Sequence, residues 1–451
     1  VTVVLAYEQL LAEGYLEGRR GSGTYVRAVG ESARASLPRE RASGATPPAR
    51  LSAIGKRLCD GHAPLFGRGL IARFPLPYDF RYGIPSLLDF PTQTWQRCLG
   101  RTARRASVRA HDYGDPQGAL ALRTAIAERL DRVRGVDCAP ERIVVVGGSQ
   151  QGLDLAARLL LEPGDVAVVE EPGYEGARNA FRVAGARVVP APVDAEGIDL
   201  SSLGRDARRV RVLHVTPSHQ YPLGAVLSLP RRLALLALAE KSGATLIEDD
   251  YDAEYRFEGA PLETLYALDG GRRVIHLGTF SKVLFPALRL GYVVLPESLV
   301  EPFTRAKLLA DGGSPMLEQA ALAQFMQDGD FERHVRRARL RNRERREALI
   351  AALADELGDE ARIEGTNAGL HLCCWLPRLP PRNLGALVRA AAERGVGIYS
   401  ISPYYAERPR TAGLLMGYAA LTPADIRVGV ERLARVVASH LPSRRSGAAA
   451  R

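Results

Sequence analysis

One stretch of the 451-residue chain gathers groups able to do covalent chemistry. Gly278-Thr-Phe-Ser-Lys-Val-Leu-Phe-Pro-Ala-Leu-Arg-Leu-Gly-Tyr292 holds one lysine, two hydroxyls and one arginine between two apolar runs. Lysine is scarce in this protein: of 61 Lys and Arg residues, only Lys56, Lys241, Lys282 and Lys307 are lysine, so arginine is the default cation. Arginine does not lose its proton. A desolvated lysine has its pKa lowered and becomes a nucleophile able to form a Schiff base with an aldehyde. The plain alternative is a lysine whose ammonium snorkels to solvent. Ile275-His-Leu277 reads as a short strand, and Thr279-Phe-Ser-Lys282 leaves its end in a tight loop closed by Pro286, Arg289 and Gly291. A rigid loop presenting these polar groups is a cofactor anchor.

Two further stretches carry groups of the same kind. Gly147-Gly-Ser-Gln-Gln151 sits where a strand turns into a helix, so Gly148, Ser149 and Gln150 fall where backbone amides and the helix dipole receive a phosphate. Ala244-Thr-Leu-Ile-Glu-Asp-Asp-Tyr-Asp252 is an apolar strand ending in acids. With a strand period of two, Asp249 and Tyr251 share one side and Asp250 takes the other.

The order hydroxyl residue, Ser-Lys, then arginine resembles the pyridoxal-phosphate (PLP) site of fold-type-I, class I aminotransferases, here Thr279, Ser281, Lys282 and Arg289. The resemblance implies that Lys282 carries PLP as a Schiff base while Thr279, Ser281 and Arg289 hold its phosphate, a dianion suited to hydroxyls and a bidentate guanidinium. It also makes Asp249 the carboxylate for the pyridine nitrogen and Tyr251 a donor to the ring's phenolic oxygen. Tyr174, in Glu171-Pro-Gly-Tyr174, becomes the ring on the cofactor face. Tyr113, in His111-Asp-Tyr-Gly-Asp-Pro-Gln-Gly118, matches a tyrosine that reaches the phosphate of a neighbouring subunit's cofactor, which implies a homodimer. In Thr216-Pro-Ser-His-Gln-Tyr-Pro-Leu-Gly224 the family's usual asparagine is Tyr221, and His219 is the candidate to take over its role.

The elements that must position these groups follow from periodicity. From Ile143 onward, strands and helices alternate as far as Leu295, which predicts an α/β fold with a mostly parallel sheet covered on both faces. An N-terminal arm precedes it and a smaller α+β domain follows. The expected division is a large domain over 71-310, a small domain over 311-441 and a disordered tail over 442-451. The arginine-rich run Phe331–Arg346 reads as a long interdomain helix in which Glu332, Glu344 and Glu347 are helical charge partners.

Residues 1-27 have another character. Val3, Ala6, Tyr7, Leu10 and Leu11 form one helix face, Gly14 ends the helix, and Tyr15–Arg27 reads as a hairpin with Arg19 and Arg20 at its tip. A helix followed by a basic hairpin resembles the back half of the GntR-superfamily winged helix-turn-helix, whose second helix enters the major groove of DNA. The segment opens at or inside that helix, so it is expected to be a fragment or a miscalled start, poorly ordered alone and weak toward DNA. A polar linker, 28-70, follows.

Composition bounds the remainder. A hydrophobic fraction of 46% and mean hydropathy of −0.10 suit a globular chain. A net charge of +10 leaves room for nucleic acid without requiring it. Five cysteines show no metal-ligand spacing, so no metal is expected. With the lack of a signal-peptide pattern they suggest the cytoplasm.

A truncated GntR-type head and an aminotransferase-like body together resemble the MocR-type bacterial regulators. That implies a PLP-dependent transcription regulator that binds operator DNA and senses PLP or an amino compound. One departure bears on catalysis: Leu415 stands where class I aminotransferases place the arginine that clamps the substrate carboxylate. The alternative reading is a working aminotransferase with a vestigial head.

Overall fold

Runs such as Ile143-Val-Val-Val146 and Val166-Ala-Val-Val169 are apolar at every position, which suits strands covered on both faces, and these eight residues are all buried. The computed structural model describes residues 2–27, 50–59, 76–105, 113–259 and 263–442. The strands assemble into an eight-stranded sheet in the order Ile143–Val146, Gly291–Val294, Val274–Thr279, Thr245–Asp249, Val210–Val215, Val166–Glu171, Arg187–Asp194, Gly197–Ile198. The four neighbouring pairs from Val274–Thr279 to Arg187–Asp194 are parallel. Gly291–Val294 is antiparallel to both its neighbours, and the short edge strand Gly197–Ile198 is antiparallel as well.

This order decides where a ligand can sit. Ile143–Val146, Thr245–Asp249 and Val274–Thr279 point the same way, so Gly147, Asp249 and Thr279 emerge at one edge, the carboxyl ends that open α/β sheets use for ligands. The helix Ser149–Leu160 starts there.

A second, four-stranded antiparallel sheet follows, in the order Arg362–Glu364, His371–Leu376, Ala412–Gly417, Tyr399–Ser400. Leu415 lies opposite Cys373 on one side and Tyr399 on the other. The helix Pro423–His440 begins at a capping box, in which the Thr422 hydroxyl accepts from the Asp425 amide at 3.2 Å and the Asp425 carboxylate accepts from the Thr422 amide at 3.4 Å. The arm Tyr78–Asp79 pairs in parallel with Val396–Gly397, and the Gly417 amide donates to the Phe80 carbonyl at 2.9 Å. That clamp delivers Tyr82 and Gly83 to the carboxyl edge of the large sheet.

The basic run lies within the helix Asp330–Leu357. The charge partners differ from the expectation of pairing along the helix: Glu332 meets Arg129 at 3.0 Å and Arg132 at 3.5 Å, both on the helix Leu120–Arg134. Arg341 and Arg345 share Asp89 at 2.7 and 2.8 Å. The i,i+4 rule sees neighbours on one cylinder, and packing two helices face to face offers closer ones.

The chain divides into two units, Val1–Ser52 and Ala53–Arg451. In the first, the helix Thr2–Ala12 has no buried residue, and Leu16–Arg19 pairs antiparallel with Gly23–Val26. Val3 is 71% exposed and Arg19 is held by Glu17 at 2.6 Å. In the second, the helix Ala53–Cys59, inside the expected linker, is tied by the Arg57 guanidinium to the Val183 carbonyl at 2.8 Å. Most of the expected linker, and the expected tail beyond Pro442, lie outside the described residues. Among the described residues no helix is long and apolar enough to cross a membrane.

Candidate functional site

A cavity of about 510 Å³ opens at the carboxyl ends of the large sheet, walled by residues of both sheets and of the arm. At its centre the Lys282 ammonium donates to the Gly83 carbonyl at 2.7 Å. Burial lowers the Lys282 pKa, and the carboxylates of Asp252 and then Asp249 work against that shift. Gly83 has φ +70, and a Cβ added to it would sit 3.1 Å from the lysine nitrogen, so a bare backbone is what admits the lysine.

One end of the cavity gathers groups whose chemistry suits an anion. Gly148, at φ +105, caps the helix Ser149–Leu160 and presents its first amides. A Cβ at Gly148 would lie 3.4 Å from both terminal nitrogens of Arg289. Thr279 and Ser281 stand beside them, with the Ser281 amide donating to the Thr279 hydroxyl at 3.2 Å. Arg289 itself has φ +52, and among the described residues no other non-glycine residue has positive φ. A conformation of that kind costs about 1–3 kcal/mol, and it is held where the guanidinium faces two hydroxyls and a helix start.

Asp249 closes its strand at the other end, only 4% exposed. The Ser149 hydroxyl approaches it at 3.5 Å and His214 Nε2 lies at 3.8 Å. Asp250, one residue on, points away and is bound by the Arg134 guanidinium at 2.7 Å. The alternation read from the strand thus separates the two acids. Tyr174, N-cap of the next helix, donates to the Gln150 side chain at 3.3 Å, and its phenol is pushed up by burial and by Asp249.

All the candidate residues line this cavity except two. His219 does not: its Nδ1 is 2.9 Å from Asp252 and 3.0 Å from the Tyr251 hydroxyl, so it stands behind Tyr251 rather than in the site. The position it was expected to cover belongs to Tyr221, whose ring meets Tyr174, Tyr251, His371 and Tyr404 edge-on with centroids 5.0–5.9 Å apart. Tyr113 is 93% exposed and borders a separate hollow formed with Gly312–Glu318. Within one chain it is no part of the Lys282 cavity.

Sequence reasoning missed Tyr82, Glu175, His371 and Tyr404. Tyr82 and Tyr404 touch through their hydroxyls and form a wall. Behind that wall Leu415 is fully buried in a cluster with Cys373, Trp375 and Ile401. Glu175 had a visible signal, an acid directly after Tyr174, the ring expected on the cofactor face. Cys98, Asp328 and Asp330 also converge, but Asp328 is bound by Arg101 at 2.6 Å and Asp330 by Arg333 at 2.7 Å. Guanidiniums meet those two charges.

The donor set fits PLP: a depressed-pKa lysine, a helix start with hydroxyls and a guanidinium, and a buried carboxylate share one cavity. Fold and cavity define a PLP-dependent protein of the fold-type-I aminotransferase class. Residues 88–433 match the family Aminotransferase class I and II. The structure resembles the α-aminoadipate aminotransferase LysN from Thermus thermophilus, with TM-score 0.76 and 31% identity, covering 86% of this chain and 97% of that one. The chain is 39% identical over 435 residues to the probable rhizopine catabolism regulatory protein MocR of Rhizobium meliloti, covering 96% of this chain and 85% of that protein. It is 34% identical to the uncharacterized HTH-type transcriptional regulator YhdI of Bacillus subtilis, covering 96% of this chain and 86% of that protein. The chain belongs to the aminotransferase class I and II family and, within it, to the MocR-type transcription regulators.

Proposed function

We propose that this PLP-dependent regulator acts in the cytoplasm as a homodimer and binds operator DNA through its N-terminal head. It would sense an amino compound, or PLP itself, in the Lys282 cavity. The observation that carries this reading is the convergence of Lys282, Asp249 and Arg289 in one cavity. Lys282 would hold PLP covalently. Arg289, Thr279, Ser281 and the amides of Ser149 and Gln150 would bind its phosphate, and Asp249 would keep the ring nitrogen protonated. Tyr174 would cover one ring face and Tyr251 would donate to the phenolic oxygen. Bound PLP supplies an electrophilic carbon that exchanges one amine for another.

The large part 71-310 and the small part 311-441 both contribute walls to the cavity, so a ligand that contacts both biases their arrangement, as a sensor requires. Tyr113, exposed on one chain, is where a partner subunit's cofactor phosphate would be met. The enzyme reading draws on the complete cofactor set and the likeness to LysN. Against it stands Leu415, apolar and buried at the carboxylate-clamp position. The test is borohydride reduction of the purified protein followed by peptide mapping. PLP fixed on Lys282 is the expected result, and PLP fixed elsewhere, or none bound, would overturn the assignment.

A further inference from the structure

Beyond the cofactor groups, the cavity has one ionisable side chain that nothing yet accounts for. Glu175 lines it and is 7% exposed, at the first turn of the helix Glu175–Ala184. Among the described residues no hydrogen bond or ion pair holds its carboxylate. Arg178 is the cation whose charge it feels, yet that guanidinium donates to the carbonyls of Pro403 at 2.8 Å and Tyr404 at 3.4 Å. Burial raises the Glu175 pKa, as expected for a carboxyl short of partners. The segment that carries Glu175 is tied to Tyr404: the Gly173 amide and the Arg178 guanidinium donate to the Tyr404 carbonyl at 3.1 and 3.4 Å, and Tyr404 packs in one cluster with Tyr82 and Leu415. Glu175 therefore stands toward the end where a substrate carboxylate would be clamped.

The charges lining the cavity support this. Its only cations among the described residues are Lys282 and Arg289, both assigned to PLP, while Asp249, Asp252 and Glu175 are acidic. A carboxylated ligand would bring a second negative charge beside a buried acid with no guanidinium to receive it, which is unfavourable twice over. A ligand ending in hydrogen-bond donors would meet an acceptor that lacks a partner.

We propose that the effector is a primary amine without a carboxylate, whose far end carries a second ammonium or hydroxyl groups that Glu175 accepts. This rests on the PLP assignment above. The attacking nitrogen forms the C=N bond that Lys282 gives up, and its two protons pass to the lysine, which leaves as a free amine. No oxidant or water is consumed.

The experiment uses PLP-loaded full chain and four probes that share a four-carbon chain: 1,4-diaminobutane, 4-aminobutanol, 4-aminobutyrate and butylamine. Affinity is read from the cofactor absorbance and from calorimetry. The diamine or the amino alcohol should bind at least about tenfold tighter than 4-aminobutyrate, a difference of about 1.4 kcal/mol. Whichever of the two binds tighter identifies the far-end group. Glu175→Gln should erase the diamine's advantage over butylamine, and Glu175→Arg should turn the preference toward 4-aminobutyrate. A ranking within one variant does not depend on how much of it folds. Tightest binding of 4-aminobutyrate by the unmutated protein, or an unchanged ranking in both variants, would overturn the inference. Either result with PLP still fixed on Lys282 leaves the cofactor assignment standing, whereas loss of the Lys282 adduct removes both.

Discussion

Gly148 lies beside the Arg289 guanidinium: a methyl group at the glycine would sit 3.4 Å from both of its terminal nitrogens. The same glycine has φ +105 and starts the helix whose amides face that arginine. Gly148→Ala should therefore strain the backbone by about 1–3 kcal/mol at the helix start beside Arg289. PLP affinity, measured by equilibrium dialysis, should fall at least about tenfold, a loss of about 1.4 kcal/mol. Unchanged affinity would show that the phosphate does not bind there.

If Lys282 captures the cofactor, its own titration should set the pH dependence of that step. Its pKa is depressed below the ordinary 10.5 by burial, so the free-base fraction rises through a midpoint under that value. The rate at which apo-protein takes up PLP should rise with pH to a plateau reached before a free lysine would reach it. The depressed pKa also means that the unfolded chain binds the extra proton between the folded and unfolded values. Apo-protein stability should thus gain from this group as pH rises through that window. A capture midpoint at or above 10.5 would contradict the burial argument.

Asp249 and Asp250 should separate cofactor binding from stability. Asp250→Ala leaves Arg134 buried and unpaired, at a cost of about 3–5 kcal/mol in urea unfolding. Asp249→Asn should weaken PLP binding and shift its absorbance, with a much smaller effect on unfolding. Burial alone would raise the Asp250 pKa, but Arg134 and then His276 outweigh it and lower it below 3.8. The pair's contribution should be fully present above that pH and lost as pH falls through the depressed value. Equal unfolding losses in the two variants would remove the distinction.

Leu415→Arg tests the carboxylate position. Leu415 is fully buried among Tyr82, Cys373, Trp375, Ile401 and Tyr404, so a guanidinium there enters an apolar cluster. The expected outcome is destabilisation on the order of 4 kcal/mol with no gain in transamination. For the unmutated protein, transamination of common amino acids should be negligible, and rapid multiple turnover would promote the enzyme reading.

Tyr113→Phe tests the composite site. If the tyrosine reaches a partner's phosphate, the variant should bind PLP more weakly while sedimentation still shows a dimer. A wild-type monomer with full PLP affinity at high dilution would exclude the shared site.

The sequence by itself determined what is local. Thr279, Ser281, Lys282 and Arg289 lie within eleven residues, so their spacing constrains where they can point. Strand periodicity likewise separated Asp249 from Asp250, because successive strand side chains take opposite faces. The mostly parallel sheet was legible from apolar strands alternating with helices, because βαβ crossovers lay helices over both faces of a sheet. The tertiary structure decided what depends on distant segments meeting. His219 looked available because a loop histidine carries no mark of its partners, and folding gives it Asp252 and Tyr251, 33 and 32 residues away. The Tyr82–Tyr404 wall joins residues 322 positions apart through an arm strand two residues long. Glu332 found its partner on another helix for the same reason. Side-chain period encodes which face a residue takes, while the order in which strands and helices pack decides what that face meets.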